Sequence, residues 1–191
     1  MQLNAPEPSI RPPVFLGCAG AVLAVVLVVA GFVFFLSFLD SGANNGKVVL
    51  DPADSYGLNT IAYIPKQNLY IVRLGDGSYL ALSDLDAANR AAATRCRAAQ
   101  VAPTDPLLPQ LVGQFASRQS PEAAGSTVFL RESCNRAVYD LAGLRLDADG
   151  PNLERLATSI DSQGRLTVDT RKRTCSERSG AALFAPTVCP K

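Results

Sequence analysis

The residue types that most often carry chemistry are unevenly represented in this chain. Its 191 residues include five cysteines and no histidine. Without an imidazole, a histidine general base and histidine metal ligands are both excluded. The serines have no evident activating base either. The chemistry open to the chain therefore rests on cysteine and carboxylate side chains.

Four of the cysteines, Cys96, Cys134, Cys175 and Cys189, lie in the polar part of the chain, while Cys18 lies in an apolar run. Four thiolates are enough for a zinc site or an iron–sulfur cluster, but no Cys-x-x-Cys spacing favours either. The even count favours disulfides and therefore an oxidising compartment. A four-thiolate metal site is the alternative to disulfides.

Paired carboxylates are the other candidate catalytic groups. Asp84 and Asp86, and likewise Asp147 and Asp149, stand two residues apart, but beside strands such pairs are usually solvated turn residues. The run 171–173, Arg-Lys-Arg, is interpreted as a solvated basic tail. Basic residues number 18 and acidic residues 17, which gives no electrostatic basis for nucleic-acid binding. We therefore expect a protein that is not an enzyme.

Alternating apolar and polar residues predict an all-β domain. Glycine-containing turns are predicted at residues 75–78 and 162–164, because glycine readily adopts a positive φ. Alternation implies half-buried antiparallel strands, and hence a small sandwich or barrel. Residues 87–97 are predicted to form a short helix, and residues 104–118 a loop or a second short helix. The strand-like runs are 60–64, 68–74, 79–83, 127–131, 137–140, 156–161 and 166–169.

The uncharged run Val14–Leu39 is long enough to cross a bilayer as one helix. A cleaved signal peptide has a shorter apolar core and a small-residue cleavage site, so we expect an uncleaved, single-pass anchor. Cys18 is interpreted as a small apolar residue of this helix. Arg11 before the run and Asp40 after it favour a cytoplasmic N-terminus and a periplasmic or extracellular domain.

These features predict five segments. The small, polar residues at 41–46 predict a flexible linker. The first three segments are a short cytoplasmic N-terminus (1–13), a transmembrane helix (14–39) and the linker (40–46). A β-rich domain (47–170) and a C-terminal tail (171–191) follow.

Residues 132–143, Glu-Ser-Cys-Asn-Arg-Ala-Val-Tyr-Asp-Leu-Ala-Gly, resemble the second cluster-binding box of Rieske iron–sulfur proteins, Cys-Pro-x-Cys-His-Gly-Ser-x-Phe/Tyr-Asp. Residues 74–84 resemble the hairpin before the first box, residues 150–156 the proline-bearing loop, and residues 161–169 the final hairpin. The resemblance covers residues 47–170. It implies a small antiparallel Rieske-like β-sandwich or barrel on one N-terminal transmembrane helix.

The resemblance also implies that all four cluster-ligand positions have been lost. In the first box, Ala91 and Ala93 stand where a thiolate and an imidazole belong. In the second box, Glu132 and Asn135 stand at the cysteine and histidine positions. A Rieske centre needs two imidazoles on one iron, so no cofactor is expected.

The two non-ligand cysteines of the family are present as Cys96 and Cys134, which implies that the disulfide bracing the cluster loops is kept. Cys175 and Cys189 would close a second, shorter loop and pin the tail. Glu132 replaces a ligand in a formerly buried site and is the one carboxylate worth testing. We expect it to pair with Arg131, Arg136 or Arg145.

The resemblance implies a non-catalytic, cluster-less accessory or structural subunit of a membrane complex, of the electron-transfer, cytochrome bc type. Its partners would be membrane lipid and the other subunits. The alternative is a free-standing, membrane-anchored exported binding or sensor domain that uses the vacated cluster pocket and the loop 98–125. A redox enzyme is the third hypothesis.

Overall fold

The computed structural model describes residues 25–34 and 46–190. The chain divides into two units, Met1–Asn45 and Gly46–Lys191. In the first unit, residues 25–34 form a helix, α1. Within the described ranges, no helix has the length and apolar character needed to cross a membrane. The remainder of the predicted span 14–39 and the predicted linker up to residue 45 lie outside the described residues.

The second unit is built mainly of strands. Its helices are α2 (Ala87–Ala91) and α3 (Leu108–Phe115), with short 3-10 turns at Ala53–Ser55, Ala116–Arg118 and Pro121–Ala123. The predicted all-β class is confirmed. The strands are β1 (Lys47–Pro52), β2 (Thr60–Ile64), β3 (Leu69–Arg73), β4 (Tyr79–Asp86), β5 (Ala98–Gln100), β6 (Phe129–Glu132), β7 (Val138–Asp140), β8 (Gly150–Pro151), β9 (Leu153–Ile160), β10 (Arg165–Ser179) and β11 (Ala182–Thr187).

Two antiparallel sheets make up this unit. The large sheet has the order β1-β10-β9-β4-β3-β2 and curls into a half-barrel, with β8 and β11 paired to β10. The small sheet has the order β5-β6-β7 and lies between β4 and β8 in the sequence. Both predicted turns are present, and Gly77 and Gly164 adopt φ values of 85° and 75° there. These left-handed conformations are the ones for which glycine carries no steric penalty.

Strand β10 is longer than the sequence pattern predicts, and it changes partners along its length. The residues up to Thr174 pair with β1 and β9, and the residues from Cys175 onward pair with β8 and β11. The pairing with β9 shifts register between Asp169 and Arg173, and a shift of this kind bends the strand. The basic run 171–173 is therefore part of a paired strand, with Arg173 only partly exposed. A disulfide between Cys175 and Cys189 ties β10 to the residues after β11.

Strand β3 is buried on both faces because it separates two apolar clusters. Tyr70 and Val72 pack in the cluster between the two sheets, and Leu69 and Ile71 pack in the cluster on the opposite face. Successive residues of a strand point to opposite faces, so apolar residues are required at adjacent positions. The small sheet contributes Ala98, Leu130 and Tyr139 to the cluster between the sheets, and Ala137 joins them from the loop before β7.

Helix α3 covers the other face of the small sheet. Leu111 and Phe115, four residues apart, point in the same direction from the helix and are both buried. They pack with Phe129 and Val138 of the small sheet. The segment predicted to be a loop or a second short helix is thus a helix with an apolar face.

A buried hydrogen bond attaches the small sheet to the large one. Tyr139 on β7 is fully buried, and its hydroxyl donates to Asp86 Oδ2 at 2.9 Å. Asp86 ends β4 and also caps α2, because its Oδ1 accepts from Asn89 N at 2.7 Å. Burial and then the charge of Asp86 raise the pKa of Tyr139 well above its usual range. One carboxylate thus fixes the end of β4, the start of α2 and the position of β7.

We expect Tyr139→Phe to lower the free energy of unfolding by about 2 kcal/mol, because Asp86 loses a buried donor. Tyr63→Phe is the matched control: its hydroxyl donates to Asp84, but the residue is 42% exposed. Its expected loss is about 0.5 kcal/mol. Urea unfolding of the full chain, followed by far-ultraviolet circular dichroism, measures both. Equal losses would contradict the role given to Tyr139.

Candidate functional site

Two loops meet at one end of the small sheet. The first loop, residues 92–97, links α2 to β5, and the second loop, residues 133–137, links β6 to β7. β5 and β6 are neighbours in the sheet, with Ala98 opposite Glu132, so both loops lie at the same end. A disulfide between Cys96 and Cys134 joins them.

Both predicted disulfides are confirmed by this geometry. The bridge between the loops is supported by a backbone hydrogen bond from Ser133 N to Arg97 O at 3.1 Å. Because all four cysteines outside the apolar run are bridged, none of them is free to act as a thiolate ligand. This arrangement favours the disulfide alternative over the four-thiolate metal site.

Glu132 is the buried carboxylate at the base of the second loop. It is the last residue of β6 and is 3% exposed. Its Oε1 accepts from Cys134 N and its Oε2 from Asn135 N, both at 2.6 Å. Its own backbone N–H donates to Ala137 O at 2.8 Å and closes the loop.

The predicted ion pair of Glu132 is therefore wrong. Two backbone N–H groups satisfy its carboxylate, and within the part of the chain that the structure describes no salt bridge joins it to an arginine. Arg145, one of the expected partners, pairs with Asp147 at 3.1 Å. The loop closes tightly enough to bring its own amides to the carboxylate, which the sequence pattern does not reveal.

The other three positions predicted to have lost ligands lie on the surface of the loops. Ala91 ends α2, and Ala93 has a φ of 50°; both are exposed. Asn135 is exposed as well, and its backbone N–H is bound to Glu132. Ala93 ends the helical conformation early, so the helix predicted over residues 87–97 is reduced to α2. The residues after Ala93 instead form the first loop.

The donor atoms around the bridge do not fit a metal ion or cluster. A carboxylate oxygen of Glu132 and the sulfurs of Cys96 and Cys134 lie within 4.8 Å of one another. Cysteine ligates metals as the thiolate, whereas both sulfurs here belong to a disulfide. The methyl groups of Ala91 and Ala93 offer no lone pair. The two loops are joined by a covalent bond and by hydrogen bonds.

Two arginines tie the ends of the first loop to the large sheet. Arg97 Nη1 donates to the Oδ1 and Oδ2 atoms of Asp84 at 2.6 and 2.7 Å. Arg90 Nε, just before the loop, donates to the Oε1 and Oε2 atoms of Glu154 at 2.7 and 2.8 Å. The hydrogen bond to Asp84 raises the pKa of Arg97. We call these two ion pairs the arginine clamps.

A break in the β4–β9 register positions the carboxylates of the clamps. β4 pairs with β9 up to Leu82 and again at Asp86, so residues 83–85 lie opposite Glu154 alone. Bulges of this kind redirect side chains at the end of a strand. Asp84 and Glu154 are 2% and 0% exposed, and a carboxylate so deeply buried needs a cation or several donors.

The predicted solvation of the paired carboxylates is wrong for Asp84 and Asp86, which are both buried on β4. The prediction fails because β4 continues past residue 83, beneath the first loop. Asp147 is partly buried, and although burial opposes ionisation, its hydrogen bonds with Arg145 and Val138 hold its pKa below the usual range. Asp149 is exposed, as expected.

The arginine clamps are the part of the site that sequence analysis missed. The available signal was Glu154, a carboxylate that follows Leu153 just before a strand-like run, because a carboxylate that becomes buried needs a partner. The sequence does not indicate which arginine it meets, since Arg90 lies 64 residues away.

Comparison with known proteins identifies no family. No protein-family model, curated protein or solved structure matches this chain.

We expect the double variant Cys96→Ser, Cys134→Ser to lose about 4 kcal/mol of unfolding free energy, because the bridge spans a sequence separation of 38. The control Cys175→Ser, Cys189→Ser removes a bridge with a separation of 14, for an expected loss of about 3 kcal/mol. The distinguishing measurement is hydrogen–deuterium exchange in residues 133–137. Exchange there should accelerate in the first variant alone, and unchanged protection would count against the bracing role.

Glu132→Gln should cost about 2 kcal/mol, because the neutral amide offers one carbonyl oxygen to two buried N–H donors. Glu122→Gln is the control, since Glu122 is 41% exposed and pairs with Arg155 at 2.6 Å. Its expected cost is about 0.5 kcal/mol. Chemical unfolding gives both values, and amide exchange at Cys134 and Asn135 should accelerate only in the first variant. An equal cost in both variants would show that Glu132 does not hold the loop.

Proposed function

We propose that this chain is a non-catalytic, cluster-less Rieske-like domain that serves as an accessory or structural subunit of a membrane complex of the cytochrome bc type. The run Val14–Leu39 is the single-pass anchor, and the domain lies on the exported side. Its partners are membrane lipid and the other subunits. The observation that carries the proposal is the pair of loops joined by the Cys96–Cys134 disulfide without a metal-ligand set.

The positions of the loops support the resemblance. In the Rieske family, the two cluster boxes are braced by a disulfide between their non-ligand cysteines. Here the residues aligned with the first box, 91–96, and with the second box, from Glu132 onward, lie at the same end of the small sheet. The two cysteines aligned with the bracing bridge are bonded to each other.

The contacts of the loops support a non-catalytic role. The carboxylate of Glu132 is used to close the second loop, and the clamps hold both ends of the first loop. Loops that have lost a shared metal need other cross-links to remain ordered, because fixing each backbone residue costs about 1–2 kcal/mol of conformational entropy. The bridge, the clamps and the Glu132 hydrogen bonds provide these cross-links.

A ligand-binding role for the vacated cluster position receives less support. Glu132 would be the polar anchor of such a ligand, but each of its oxygens already accepts a hydrogen bond from its own loop. Ala93 and Asn135 are exposed. A cavity of about 460 Å³ borders Glu132, Ser133 and Arg136, but the oxygens of Glu132 are already bound within the loop. This arrangement favours a structural role for Glu132 over ligand binding.

The exposed end of the two loops is the docking face in this proposal. We call it the loop tip: Arg95 of the first loop together with Ser133, Asn135 and Arg136 of the second, all exposed. Because the disulfide holds both loops, the loop tip has little conformational entropy to lose on binding. Its two arginines suit a partner surface that carries carboxylates.

The full chain, purified from its own membranes in mild detergent, should migrate as part of a larger complex at a fixed ratio to other subunits. It should carry no stoichiometric iron and no electron paramagnetic resonance signal of a reduced [2Fe–2S] cluster. Blue-native electrophoresis, mass spectrometry and iron analysis measure these outcomes. A stoichiometric cluster would overturn the cluster-less assignment, and migration as a lone protein would overturn the assignment as a subunit.

A matched pair of variants tests the docking face. Arg95→Gln with Arg136→Gln should release the chain from the complex, because both changes remove charge from the loop tip. Arg171→Gln with Lys172→Gln removes the same charge from β10, where the side chains are 63% and 75% exposed, and should leave the complex intact. Retention of both variants would show that the loop tip is not the contact.

A further inference from the structure

A charged cleft lies beside the arginine clamps. It has a volume of about 320 Å³, near the lower limit for small-molecule sites. Its charged lining consists of Asp84, Arg90, Arg97 and Arg173. We call it the arginine cleft.

The arginine cleft holds one more positive charge than its carboxylates neutralise. Two buried carboxylates, Asp84 and Glu154, lie among three guanidinium groups. Arg97 and Arg90 each place a donor on both oxygens of one carboxylate. Arg173 Nη1 lies 3.7 Å from Glu154 Oε2, too far for a hydrogen bond. Arg173 is therefore the surplus cation.

Several N–H groups of these arginines have no protein partner in the described part of the chain. Arg97 uses only Nη1, which leaves Nε and Nη2. Arg90 uses Nε for Glu154 and Nη2 for Ser83 Oγ, which leaves Nη1. The three side chains are between 24% and 43% exposed, so the cleft is open to solvent.

We propose that the arginine cleft binds a small soluble molecule through a carboxylate or phosphate group, held by Arg90, Arg97 and Arg173. The planar guanidinium matches both groups, because its N–H donors form paired hydrogen bonds to two oxygens. The buried carboxylates fix Arg90 and Arg97 before the ligand arrives, so little side-chain entropy is lost on binding. The ligand neutralises the charge of Arg173. This site is independent of the proposed role in a membrane complex.

The test uses the full chain in neutral detergent, titrated with sodium phosphate and separately with sodium citrate. Thermal unfolding is followed by circular dichroism, and sodium chloride at matched ionic strength gives the effect of screening alone. A ligand that binds only the folded state raises Tm with the logarithm of its concentration once that concentration exceeds Kd. We expect Tm to rise in this way with phosphate or citrate, beyond the rise with chloride. No rise beyond chloride with either probe would overturn the proposal.

Arg173→Gln should raise the apparent Kd obtained from the Tm titration by about tenfold or more, because one charge-assisted contact is lost. Arg165→Gln is the control: it removes the same charge from an exposed ion pair with Asp161 on the β9–β10 hairpin. It should titrate like the parent. Equal responses of the two variants would overturn the site.

Two further measurements cover the remaining explanations. Arg173→Lys keeps the charge and should restore the rise of Tm with phosphate or citrate concentration, so a folding defect of Arg173→Gln is separated from the loss of binding. The parent is also titrated with phosphatidylglycerol in the micelles. A response to this lipid without one to phosphate or citrate would overturn the assignment to a soluble molecule.

Discussion

Asp84 and Glu154 carry charges that the large sheet buries almost completely, and the rest of the loop region is arranged around them. Removing such a carboxylate from water costs several kcal/mol unless cations or donors replace the lost hydration. Arg90 and Arg97 meet that requirement from the two ends of the first loop. The course of this loop is thus set by electrostatics, since its apolar contacts are few.

The second loop depends on the first. Once Arg97 is fixed on Asp84, Cys96 lies where it can bridge to Cys134, and the bridge sets the position of the second loop. Glu132 then closes that loop with two amide hydrogen bonds. The small sheet that carries both loops is held to β4 by the buried hydrogen bond from Tyr139 to Asp86. Each cross-link joins only two side chains or a side chain and a loop, but together they connect both sheets through the end of β4.

The sequence predicts the local features of this fold and misses its long-range charge pairing. The hairpin at Gly77 and the strand over 60–64 are recognisable because turn chemistry and alternation act between neighbouring residues. The Cys96–Cys134 bridge follows from a resemblance in motif order, and Cys175 and Cys189 are the cysteines that remain outside the apolar run. The pair of Arg90 with Glu154 cannot be predicted from the sequence, because its partners are far apart in sequence and meet only after β4 and β9 associate. The burial of Asp84 is hidden for the same reason.

The ratio of arginines to buried carboxylates relates the loop region to the arginine cleft. A buried carboxylate needs a cation or several hydrogen-bond donors, and two arginines are sufficient for Asp84 and Glu154. Arg173 exceeds that number, and β10 bends at the register shift between Asp169 and Arg173, where this side chain enters the cleft lining. Arg173 shares the carboxylate of Glu154 with Arg90, at 3.7 Å, so one positive charge is left over among the three guanidinium groups, and an anionic ligand would neutralise it. The requirement that orders the loops thus accounts for two arginines, and the third is accounted for by a ligand.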